Sequence, residues 1–106
     1  MARHGYVYLL KEVGGKRVKI GKSTRPPTVR IAEFSPMLPF ETEIAHTIEC
    51  SDVNWAESLM HDLFKSLHLR GEWFKIGKPD MDYIKSGAYD NLGQSVFCDE
   101  AYDYAP

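Results

Sequence analysis

The chain has 106 residues, 43% hydrophobic and 26% charged, which is enough for one domain with its own core. No run approaches the roughly 18 apolar residues of a membrane span and no charged-then-apolar leader opens the chain, so a cytoplasmic protein that avoids membranes is expected. Cys50 and Cys98 lie far apart with no Cys-x-x-Cys partner, which predicts free thiols and argues against a zinc site. The net charge of −2 conceals a gradient of +6 over residues 1–35, −3 over 36–78 and −5 over 79–106. Such a gradient suggests a phosphate-facing N-terminal third and an acidic end, while the pI near 6.1 argues against purely electrostatic binding of nucleic acid.

In chain order, "GYVYLLKE" (5–12) and "KRVKIGK" (16–22) are strand-like and flank the glycines of "VGG", which predicts a β-hairpin. Tyr6, Tyr8 and Leu10 would share one face of the first strand, with Val7 and Leu9 on the other. "STRPPTVRIAEF" (23–34) follows. Pro26-Pro27 can begin a helix but not sit inside one, so a short helix to about Ser35 is expected, with Val29, Ile31, Ala32 and Phe34 as its apolar side. "FETEIAHTIEC" (40–50) alternates as a third strand. "SDVNWAESLMHDLFKSLHL" (51–69) reads as the longest helix, capped by Ser51 or Asp52, with Trp55, Leu59, Met60, Leu63, Phe64 and Leu67 at helical spacing and Gly71 as its C′ residue. "EWFKI" (72–76) is a closing segment, short strand or extended chain, and "GKPDMDYIKSGAY" (77–89) suggests one or two more helical turns. These elements predict a small α/β (α+β) domain over residues 1–89, with helices flanking an antiparallel three-stranded sheet in the order β-β-α-β-α plus the closing segment. Residues 90–106 read as an acidic, flexible tail.

Two clusters could carry chemistry. The first is the basic turn "VKIGKSTRPPTVR" (18–30), where Gly21 allows close approach of the backbone and Lys22, Arg25 and Arg30 surround the start of a helix. Solvated surface charge would look the same in composition. Gly21-Lys22-Ser23 matches the end of a P-loop, but position 16 is Lys where that motif needs Gly. The second is Glu57 and His61, one helical turn apart and able to hold a metal or activate water, or to form an ordinary surface pair.

The ordered set "YVYLL" (6–10), "VKIGKS" (18–23), an arginine on the next helix, "AESLMHDLF" (56–64) and "RGEWF" (70–74) resembles the GIY-YIG nuclease superfamily. Within it, the set is most similar to the short phage T5-type branch that also includes a fungal meiotically up-regulated family. The resemblance covers about residues 5–76 and implies a divalent-metal-dependent endonuclease acting on DNA phosphodiester bonds. Tyr8 matches the first motif tyrosine, while Lys19 stands where the second motif has its tyrosine. Lys22, Arg25 and Gly21 would then contact nucleic acid and Arg30 would be catalytic. Mg²⁺ or Mn²⁺ would be held by Glu57, with Asp62 as the competing acid. The water would be activated by Tyr8, its pKa lowered by the Lys19 ammonium, or by His61. A degenerate module that binds nucleic acid or a protein partner without cutting is the alternative. High sequence specificity would require a homodimer or a protein partner, and a phage origin would place the protein in the cytoplasm of a bacterial host.

Overall fold

β1 (Gly5–Glu12) and β2 (Arg17–Ser23) form the expected hairpin, with Tyr8 opposite Gly21 and Leu10 opposite Lys19. The structure is a computed structural model that describes residues 3–91, so most of the predicted acidic tail, and Cys98 within it, lies outside the described residues. Gly14 takes φ +80° at the reversal, a conformation open to glycine at little cost. After the Pro26 bend, α1 (Pro27–Phe34) runs for two turns. β3 (Thr42–Cys50) then returns antiparallel to β1 along its free side.

The second half departs from expectation. With β4 at His68–Arg70 and β5 at Trp73–Lys75, the sheet has five strands, all antiparallel, in the order β3-β1-β2-β5-β4, and this corrects the predicted three-stranded sheet. α2 covers only Val53–Leu63, capped by the Asp52 carboxylate accepting from the Trp55 N–H. A 3₁₀ turn at Lys65–Leu67 then delivers the chain into β4 (His68–Arg70). Gly71, expected to cap a helix, instead turns β4 into β5 (Trp73–Lys75) with φ +57°. Leu63 and Leu67 kept the helical spacing going on paper, whereas "HLR" in fact adds an edge strand. α3 (Lys78–Lys85) is the predicted last helix.

Period two divides the strands between two layers. Val7, Leu9, Val18, Ile20 and Phe74 pack beneath α2 and α3 against Val53, Ala56, Met60, Phe64, Met81 and Ile84. Tyr8, Leu10 and Ile31 make a second, smaller cluster under α1, edged by Phe34 and Leu38. Two side chains assigned to the core by helical spacing, Trp55 and Leu63, are each 47% exposed, and Val29 on α1 is also exposed. α2 is rotated so that Ala56 and Glu57 face inward in their place, beside the expected Met60. Among the described residues no helix is long and apolar enough to cross a membrane.

Candidate functional site

The pairing of β2 leaves a gap. β5 runs beside it only from Arg17 to Lys19, and the Ile20 N–H donates one further bond, 2.9 Å, to the Glu72 carbonyl. Beyond that point no strand covers the outer edge of β2 among the described residues. Side chains from α1, α2 and the β4–β5 turn converge around this open edge.

Tyr8 is the centre. Its ring lies across Gly21, where a Cβ would come within 2.4 Å of both Cζ and Oη, so no larger residue fits at 21 without moving the tyrosine. Gly21 thereby has a packing role, leaving the room that the Tyr8 ring occupies. The Tyr8 phenol is buried, and its pKa is pushed up to about 12, first by burial and then by the Glu72 carboxylate, with Glu57 adding to the push and Arg30 opposing it. This reverses the anticipated depression by Lys19. The Lys19 ammonium is committed to Glu72 at 3.0 Å, so its charge is largely cancelled, and it also sits 4.7 Å above the Phe34 ring.

Arg30, from α1, also lies over the Phe34 ring, at 5.1 Å, and touches Glu33 only loosely, at 3.7 Å. Arg25 is taken by Glu33 in a two-pronged contact at 2.7 and 2.9 Å, which distinguishes it from Arg30. Glu57 reaches the same edge from α2. Lys22 is 3.5 Å from its Oε1, whereas Oε2 is buried without a hydrogen-bond partner. Burial foremost, then Glu72, raises the pKa of this carboxyl, and Lys22 and His61 pull it back. His61 donates from Nε2 to the Ile20 carbonyl at 2.8 Å, since a carbonyl can only accept, and it packs edge-on to Phe74. That bond leaves Nδ1 as the ring's acceptor. Asp62 points elsewhere: it is exposed and 3.7 Å from Lys65.

Tyr8, Lys19, Arg30, Glu57 and His61 are therefore neighbours around one edge, with Lys22 at its rim, and Arg25 and Asp62 are turned to other partners. Glu72 is the group that sequence reasoning left unassigned within the closing segment. It bonds Lys19 and acts on both Tyr8 and Glu57. Only the β4–β5 turn brings it there, and that hairpin was not read from the sequence.

The sequence model of the T5orf172 domain matches residues 5–86, from the first residue of β1 to just past α3. The chain belongs to the T5orf172 domain family. No curated protein and no solved structure matches it. Membership in this phage-associated family is compatible with a nuclease-like or DNA-binding module, and the matched stretch holds every residue of the edge cluster.

Proposed function

We propose that the protein is an endonuclease of the GIY-YIG type, hydrolysing DNA phosphodiester bonds at the open edge of β2 with the help of a divalent cation. The observation that carries the reading is the convergence of an arginine, a buried carboxylate and a buried tyrosine. Arg30 and Glu57, from helices on opposite faces of the sheet, both act on the Tyr8 hydroxyl.

The residues fit a hydrated cation. Glu57 Oε2 is a buried oxygen with no partner, and a hard ion such as Mg²⁺ takes one or two carboxylates and keeps its waters. No group of three or more His, Cys, Asp or Glu side chains that could form a closed metal cage occurs among the described residues. Bound at Glu57, Mg²⁺ or Mn²⁺ would polarise the phosphate and assist the leaving oxygen. Arg30 is always protonated and can donate to two oxygens at once, so it stabilises the charge that builds on the phosphate. In hydrolysis a water oxygen adds to phosphorus, the bond to one ester oxygen breaks, and the departing oxygen ends protonated as an alcohol.

At neutral pH a phenol with a pKa of about 12 is neutral, so Tyr8 first holds the attacking water by hydrogen bonding. Neutralising Glu57 and Glu72 removes two of the three influences that push the phenol up and leaves burial, the largest, opposed by Arg30. Once its own proton has passed to solvent, the Tyr8 phenolate takes the water's proton, and a solvent water protonates the departing oxygen. His61, with Nε2 tied to the strand, keeps Nδ1 as the acceptor that would make it the alternative base. Lys19 fixes Glu72, and Lys22, at the rim, meets the DNA backbone. Where sequence specificity is needed, a homodimer or a protein partner would supply it.

Binding without cutting is the second reading, and the raised Tyr8 pKa favours it, because a neutral phenol is not poised to act as a base at rest. Nicking of supercoiled plasmid and branched DNA in Mg²⁺ or Mn²⁺ separates the two. The nuclease reading expects cation-dependent nicking that is lost in Arg30→Ala and Glu57→Ala. DNA retention without nicking by the wild type would leave only the binding module.

A further inference from the structure

A second concavity opens on the same face of the sheet as Tyr8. It measures about 360 Å³, within the size range of small-molecule sites, and is walled by Trp73, Phe40, Leu38 and Leu69, with Arg17 and Arg70 at its margin. The Phe40 and Trp73 rings meet edge to face at 5.4 Å, and the Arg17 guanidinium lies 4.4 Å over Phe40. Arg17 is held by Glu12 through two bonds, so this wall is a fixed, nearly neutral stack. Arg70 has no ion-pair partner among the described residues, and it is exposed. Leu69 is 48% exposed although it faces this hollow.

The hollow continues directly into the candidate site. Trp73 lies opposite Lys19 in the β2–β5 ladder, and Arg17 is two residues from Lys19 on the same face. Leu38 both lines the hollow and packs against the Tyr8 cluster. An occupant must therefore be flat, aromatic and attached to something anionic at the neighbouring edge. A protein helix would not fit this volume, whereas one nucleobase on a strand held at Arg30 would.

We propose that this hollow is a base-stacking site: it takes one unpaired nucleobase of the strand whose backbone lies at the open edge of β2, with Arg70 contacting the adjoining phosphate. The inference rests on the nucleic-acid reading of that edge and deepens it. Base–aromatic contact needs an unstacked base, so the site favours gapped, overhanging or branched DNA over continuous duplex.

The test compares two oligonucleotides that share one backbone and differ at a single unpaired position, which carries a base in one and an abasic sugar in the other. The full chain bearing Trp55→Phe keeps Trp73 as its single tryptophan, and binding is followed by Trp73 emission and by anisotropy of the labelled strand. The base-bearing strand should bind about ten-fold more tightly and quench Trp73, as a single stacked base does elsewhere. Phe40→Ala should remove that difference and Phe40→Tyr should retain it. Equal binding of both strands, with Trp73 emission unchanged, would overturn the stacking site and leave the nuclease reading intact. Failure to bind either strand would overturn both.

Discussion

On one face of the sheet Val7, Leu9, Val18 and Ile20 disappear beneath α2 and α3. On the other, one residue along each strand, Tyr8, Gly21 and Lys19 lie beside a single two-turn helix and among charged groups. The first face is apolar throughout and supplies a rigid platform. The second has a core of only Tyr8, Leu10 and Ile31, so it contributes less to stability and has room for polar side chains. Two-residue periodicity lets the same strands do both jobs, and substitutions at successive positions should therefore have different kinds of consequence.

Phe74→Ala should break the platform side most severely. The ring is 1% exposed and packed between α2 and the sheet, and its removal should cost about 3–5 kcal/mol in urea unfolding. Gly21→Ala probes the other face. Forcing a methyl group against Tyr8 should cost about 1–3 kcal/mol, and the loss should be less than additive with Tyr8→Ala, which removes the clash.

Glu57→Gln should act in the opposite sense. The folded-state pKa of Glu57 lies above its ordinary value of 4.5, so its ionisation works against folding. The favourable contribution of the protonated carboxyl is complete below 4.5 and is lost as pH rises through the raised folded value. The glutamine variant should therefore unfold later than wild type at neutral pH, by on the order of 1 kcal/mol, with the gain fading on acidification below the ordinary carboxylate range. Saturating Mg²⁺ should raise the wild-type Tm and not that of the variant. Smallest of all, Arg25→Ala removes an exposed pair with Glu33 and should leave the urea unfolding midpoint almost unchanged.

The parts of this fold that could be read in advance were the local ones. The glycine turn, the Pro26-Pro27 helix start, the alternation of β3 and the last helix each depend on residues close in sequence. Strands β4 and β5 depend on distant pairing. "LHLR" has little alternation of its own, and its leucines continue the spacing of α2, so only the ladder from β5 to β2 reveals a strand there. Trp55 and Leu63 misled for a related reason. Spacing gives the angle between residues on a helix, while the side turned inward was set by Met60 and Phe64 reaching the sheet. In the site, Tyr8, Arg30 and Glu57 were legible through their motif order. The direction of the Tyr8 pKa was not, because it turns first on burial of the phenol and then on the Glu72 carboxylate beside it.

Single-turnover nicking of supercoiled plasmid in Mg²⁺, by wild type, Arg30→Ala, Glu57→Ala and the double variant, tests the central claim most directly. If the open edge of β2 is one catalytic unit, each single variant should lose about 10²–10³-fold and the double variant little more, because groups acting on one transition state do not contribute independently. Wild-type nicking that survives in the double variant would contradict the account.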